Sequence, residues 1–183
     1  MRAPPLPERL RASEARWCER ANGWCARDGI RRYFAAISRL GDGMFWYALM
    51  GALVLADGLD GLAASVHIAA TGIAALACYR ALKKRTRRKR PFAANPGIRA
   101  WVAPLDEFSF PSGHTLHAVA FALVAMAHYP VLAWLLVPFV ASVGASRVVL
   151  GLHYPTDVAA ATVVGAAIAS VSLWLVPGAT LFG

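Results

Sequence analysis

Residues 108–146 read FSFPSGHTLHAVAFALVAMAHYPVLAWLLVPFVASVGAS, 39 consecutive positions without Asp, Glu, Lys or Arg. A helix that crosses a bilayer needs roughly 20 predominantly apolar residues, so this window holds two crossings with a linker around His128 to Val131. Three more windows are free of charge: 43–56, 61–79 and 158–183, of 14, 19 and 26 residues. The first is short for a span at about 1.5 Å per residue, but Leu40 and Leu59 extend it when Asp42 and Asp57 sit near the interfaces. The pattern predicts an all-α polytopic membrane helix bundle of about five transmembrane helices, near 41–58, 61–81, 113–129, 131–150 and 156–177.

Composition agrees. Of the 183 residues 58% are apolar and 16% charged, against roughly 45–50% and about 25% in soluble domains, and the mean hydropathy is +0.49. A disordered chain is excluded, and the length suits one domain. The expected organisation is a basic amphipathic arm over 1–40 and a transmembrane catalytic domain over 41–183. In the arm, Tyr33, Phe34, Ile37 and Leu40 recur at helical spacing among Arg31, Arg32 and Arg39, as in a helix lying in the interface. No residue of the arm is assigned a catalytic role. Without an uninterrupted apolar h-region among the first 40 residues, a cleavable signal peptide is not expected. The three cysteines, Cys18, Cys25 and Cys78, lack CxxC spacing, which argues against a disulfide frame or a zinc site.

The net charge of +9 is unevenly placed: nine of the 19 Lys and Arg lie at or before Arg39, nine between Arg80 and Arg99, and Arg147 stands alone. The run Lys83-Lys84-Arg85-Thr86-Arg87-Arg88-Lys89-Arg90 has the charge of a nucleic-acid patch. Between membrane spans it reads instead as an anchor to anionic headgroups or a topology signal, with the bilayer and not nucleic acid as partner.

Three clusters stand at span ends. Lys83 is followed after six residues by Arg90-Pro91; Pro111-Ser112-Gly113-His114 opens span 3; Ser146-Arg147 closes span 4, with His153 and Asp157 leading into span 5. Each lies an even number of crossings from the others, so all three meet at one membrane face. Lys83, Arg90 and Arg147 are cationic donors suited to phosphate oxygens. Ser112 is placed as a helix N-cap, which turns the backbone N–H groups of Gly113 and His114 outward into an anion site. His153, with Asp157 four residues on, suits a nucleophile whose tautomer a carboxylate fixes, and His114 suits the acid that protonates a leaving oxygen. No cofactor is expected, and no carboxylate cluster that would hold magnesium is seen. His67 and His128 read as hydrogen-bonding residues of the bundle, and His117 as a neighbour of the site.

These motifs, KxxxxxxRP, PSGH and SRxxxxxHxxxD, resemble those of the type 2 phosphatidic acid phosphatase (PAP2) superfamily, which also includes vanadium haloperoxidases, and every specified position is matched. The resemblance implies a metal-independent phosphatase in which His153 forms a phosphohistidine, Asp157 orients it, His114 protonates the leaving group, and Lys83, Arg90, Ser112, Gly113 and Arg147 hold the phosphate. A site at the interface implies a lipid phosphate substrate. The five-span layout is similar to bacterial undecaprenyl-diphosphate phosphatases, and phosphatidylglycerophosphate, phosphatidate and lipid A 1-phosphate phosphatases share the motifs. Phosphoryl transfer to another lipid and a non-catalytic lipid-binding subunit are the alternatives; the long uncharged windows argue against a soluble haloperoxidase. A multi-pass protein of a bacterial inner membrane is expected. Charge asymmetry directs the site to the cytoplasmic face, whereas the resemblance to undecaprenyl-diphosphate phosphatases directs it outward.

Overall fold

A computed structural model describes residues 8–176; positions 1–7 of the arm and the tail from 177, with the last residue of the expected fifth span, lie outside the described residues. Helices α1 (Glu8–Gly23) and α2 (Asp28–Arg39) precede a π-helical turn at Leu40–Met44, and α3 (Phe45–Thr86) follows. A one-turn helix α4 (Pro91–Ala94) opens the long loop, and α5 (Gly113–His128), α6 (Ala133–Val149) and α7 (Pro155–Leu175) complete the chain.

Helix α3 is two helices joined end to end. Asp57 (φ −135°, ψ 15°) and Gly58 (φ 54°, ψ −119°) leave helical geometry, and glycine adopts the positive φ without a Cβ clash. The break falls at the end of the first expected span, just before the second. The chain therefore has five apolar helical segments, roughly in line with the expected count: two arms of α3, then α5, α6 and α7. The stretches Asp28–Ala94, Pro130–Val149 and Pro155–Leu175 are each long and apolar enough to span a bilayer. Helix α5, at 16 residues and about 1.5 Å each, is shorter, and it packs against α3, α6 and α7. Its Leu116, Ala118, Ala120, Val124 and Ala125 are fully buried, whereas Leu55 and Leu59 on α3, Trp134 on α6 and Trp174 on α7 lie open to the surroundings. That inversion, large apolar side chains outward around a core of small ones, is what lipid as solvent permits. Trp134 and Trp174 both fall at the end remote from the motifs, at the level where aromatic side chains favour the membrane interface.

Breaks at that same remote end tie the bundle together through polar groups. Tyr129 donates to Asp57 Oδ2 at 2.6 Å, His67 Nδ1 meets His128 Nε2 at 3.1 Å, and His67 Nε2 meets Ser172 Oγ at 2.8 Å. His67 is buried, and a polar group inside the bundle needs such partners; the Tyr129–Asp57 pair lies at the exposed end. At the motif end, α1 packs on α6 and α7, and α2 packs on α6. The arm and the motifs share one face, as five crossings require.

Candidate active site

The motif side chains reach their places through helix termini. Ser112 caps α5: its Oγ accepts from the Thr115 N–H at 3.4 Å and lies 3.0 Å from Thr115 Oγ1. Pro155 begins α7, and Asp157 in its first turn accepts from the Tyr154 N–H at 2.8 Å. Between α6 and α7 the chain reverses at Gly151, whose φ of 77° favours glycine, and the amides of Leu152 and His153 both return to the Arg147 carbonyl at 3.0 Å. Arg147 and His153 are thereby fixed to each other by main chain.

A cavity of about 440 Å³ opens at this face. Lys83, Arg90, Gly113, His114, Arg147 and His153 all line it, together with Asp42 and Asp106. Its opposite wall is apolar and aromatic, with Trp46, Met50, Ile73, Leu76 and Phe121 from both arms of α3 and from α5. His117 lies on this wall, its Nδ1 2.8 Å from the Gly113 carbonyl. Ser112 and Asp157, both with no exposed surface, stand behind the lining as supports.

His153 is held at both ring nitrogens. Nδ1 is 2.6 Å from the Ser109 carbonyl, which fixes the proton there, and Nε2 accepts from Arg90 Nη1 at 3.1 Å. The expected carboxylate partner stands farther off: Asp157 Oδ2 is 3.7 Å from Nδ1, because its oxygens are engaged by the Tyr154 amide and by Arg88 Nη1, the latter at 2.6 Å. Burial pushes the His153 ring down to about 3; Asp157 opposes this, and Arg147 and Arg90 add to it. The imidazole is neutral at pH 7, with a lone pair on Nε2.

The cations are matched by acids that motif spacing did not reveal. Asp106 accepts from Lys83 Nζ at 2.6 and 2.7 Å and from Arg90 Nη2 at 2.8 Å. Burial pushes the Asp106 carboxyl up, but hydrogen bonds and charge from Lys83 and Arg90 override it and leave the group below the usual carboxylate range. Arg88, stacked 4.0 Å over the Tyr154 ring, bridges Asp157 to buried Glu14 of α1. Ser38 of α2 accepts from Arg147, and Asp42 meets His114 Nε2. The arm thus contributes Glu14 and Ser38, and the turn that follows it contributes Asp42. One sequence signal existed for Asp106: with Glu107 it forms the only acidic pair in the basic loop before PSGH. Among the described residues no group of three His, Cys, Asp or Glu is arranged to hold a metal ion.

A helical membrane bundle with three cations, three histidines and an apolar wall around one cavity defines the class: a membrane protein with a candidate anion site. Its family follows from comparison: a family model for the PAP2 superfamily matches residues 63–181, and the chain belongs to that superfamily. The bacitracin transport permease protein BcrC of Bacillus licheniformis is 32% identical over 88 residues, 48% of this chain and 43% of that protein, so the chain spans less than half the length of that relative. The decaprenylphosphoryl-5-phosphoribose phosphatase of Mycolicibacterium smegmatis is 35% identical over 134 residues, 72% of this chain and 71% of that one. The fold is shared with the crystal structure of the first transmembrane PAP2 type phosphatidylglycerolphosphate phosphatase from Bacillus subtilis, with a TM-score of 0.72 at 21% identity over 97% of this chain and 90% of that one.

Proposed function

We propose that this protein is a metal-independent phosphatase of membrane lipids that removes a phosphoryl group from a polyprenyl diphosphate, or from a related polyprenyl-linked phosphate, through a phosphohistidine on His153. The observation that carries the reading is the cavity itself: three cations and two histidines at its polar end, and an apolar wall leading from them. A lipid phosphate has that same division. The polyprenyl class is supported by the decaprenylphosphoryl substrate in the name of the M. smegmatis relative.

In this mechanism Lys83, Arg90, Arg147 and the amide of Gly113 bind the equatorial phosphoryl oxygens, where charge is spread in the transition state. Asp106 releases Lys83 and Arg90 to the phosphate. Neutral His153 attacks phosphorus through Nε2, the bond to the leaving oxygen breaks, and His114 gives that oxygen a proton. Ser109 and Asp157 stabilise the positive ring that results. Water then attacks the phosphohistidine, His114 takes its proton, and inorganic phosphate leaves. We place the site at the cytoplasmic face of a bacterial inner membrane on the distribution of Lys and Arg.

The test is phosphate release from polyprenyl diphosphate, phosphatidylglycerophosphate and phosphatidate by the purified protein in detergent with EDTA present. Release from polyprenyl diphosphate is expected, with vanadate as inhibitor. His153→Ala is expected to lose about a hundredfold or more. Turnover near wild type in that variant, or strict magnesium dependence, defeats the mechanism.

A further inference from the structure

Asp42 belongs to none of the three motifs and lies before the segment matched by the family model, yet it reaches the proposed acid. It sits in the π-helical turn at Leu40–Met44, where Gly43 takes a φ of 131°. The turn presses on one edge of the His114 ring: a Cβ at Gly41 would lie 3.7 Å from His114 Cδ2 and 3.3 Å from Val143 Cγ2. On that same edge His114 Nε2 is buried, makes no hydrogen bond of regular geometry, and stands in ion-pair contact with the Asp42 carboxylate. Nδ1 is on the edge away from the turn.

We propose that Asp42 is a positioning residue for His114, holding a proton on Nε2 so that the proton exchanged with substrate and water is the one on Nδ1. The proposal rests on the phosphatase reading above, with His114 as acid. A hydrogen bond at one ring nitrogen decides the protonation of the other. In the first half-reaction the imidazolium gives its Nδ1 proton to the leaving oxygen as the P–O bond breaks and the bond to His153 forms. The ring is then neutral with Nε2–H retained by Asp42. In the second, Nδ1 takes a proton from water as the water oxygen bonds to phosphorus and the P–N bond breaks. Asp42 remains a carboxylate throughout, so its part is orientation and charge.

Leaving groups of different basicity separate this role from a structural one. An alkyl or polyprenyl leaving group needs the acid, whereas p-nitrophenolate departs without one. Asp42→Ala is expected to lower kcat on the polyprenyl substrate about tenfold or more with KM within about twofold, and to leave the pre-steady-state burst of p-nitrophenolate from p-nitrophenyl phosphate unchanged. Asp42→Asn, which keeps an acceptor for Nε2–H but no charge, is expected to fall between. Asp42→Ala combined with His114→Ala is expected to be no worse than His114→Ala alone, since the two act as a unit. Equal losses on both leaving groups, or losses that multiply in the double variant, overturn the proposal. Nitrogen-15 NMR of His114 in wild type, at a pH high enough for the ring to be neutral, tests it without turnover: a proton kept on Nε2 supports it, and one kept on Nδ1 defeats it. Absence of phosphate release by wild type, with Nε2 protonated, sinks the phosphatase reading and leaves the pairing of Asp42 with His114 standing.

Discussion

Lys83 gives its ammonium to both carboxylate oxygens of Asp106, at 2.6 and 2.7 Å, within the cavity lined by the proposed phosphate ligands. Arg90 joins the same carboxylate at 2.8 Å. An anionic substrate takes these donors only by displacing Asp106 and then stands beside its charge. Charge-assisted hydrogen bonds are roughly twice as strong as neutral ones, so Asp106→Asn should relieve the competition. Vanadate is expected to inhibit that variant at a concentration lower by about three- to tenfold. Weaker inhibition than in wild type would mean that Asp106 organises the cations instead of competing for them.

Gly151 tests how the nucleophile is aimed. At its φ of 77° a Cβ would stand 2.5 Å from the Arg99 carbonyl oxygen and 2.9 Å from Asn22 Nδ2. Asn22 itself donates to the Arg99 and Val149 carbonyls, at 2.9 and 3.0 Å. Gly151→Ala combines backbone strain of about 1–3 kcal/mol with a clash against main chain that is held on both sides. Melting in detergent should fall by several degrees, and activity should fall with it because His153 is two residues on. Gly23→Ala is the control: its φ is −60° and a Cβ there has nothing within 4 Å, so melting should be unchanged or slightly higher. Equal effects of the two substitutions would contradict the role given to the turn.

What the sequence made legible follows from what is local. The five crossings were marked by runs without charge, and the structure breaks the chain at Asp57-Gly58 and at Tyr129-Pro130, where those readings ended. Ser112 was legible as the cap of α5 because a cap and the amides it serves are adjacent in the chain. The partners that support the site are not. Ser38 lies 109 residues from Arg147, and Glu14 lies 74 from Arg88. These pairs exist only because α1 and α2 fold back on α6 and α7, and the helical spacing of Tyr33, Phe34, Ile37 and Leu40 marks an amphipathic helix without naming the surface it packs on. Asp157 illustrates the other failure: its i, i+4 spacing to His153 suggested a hydrogen bond, but the Tyr154 amide, nearer in the chain, and Arg88 took its oxygens first.

Acid should unfold the protein partly through His153. Its ring is held below the ordinary imidazole value by burial, so the unfolded chain binds a proton that the folded one refuses. Stability is therefore unaffected by this group above about pH 6.5 and declines as pH falls below that value, by up to about 1.4 kcal/mol per pH unit for one proton. Asp106, held below the usual carboxylate range, adds a loss in the same direction only once pH drops through that range. Melting temperature measured from pH 7 to pH 5 should decline for wild type and decline less steeply for His153→Gln. Parallel slopes would show that the ring is not the group taking up the proton.

The remaining prediction concerns which side of the membrane the site faces. Among the described residues, α1, α2 and the turn after them touch the site through Glu14, Ser38 and Asp42, so the arm and the catalytic loops share a face and the Leu175 end of α7 lies on the other. The arm and these loops hold all 19 Lys and Arg, while the linkers at 57–61 and 128–131 hold none. Lys83, Arg90 and Arg147, proposed above as phosphate ligands, are set aside, as is Arg88, which pairs with Glu14 and Asp157. Nine of the rest belong to the arm, to which the proposed mechanism assigns no phosphate ligand, and positive charge near short loops favours the cytoplasm. Alkaline phosphatase fused after Gly183 should then be active, because the C-terminus would be outside. A GFP fusion that fluoresces at that position instead would put the C-terminus in the cytoplasm and the catalytic cavity on the outer face, and the arm's arginines would then need an anionic partner there.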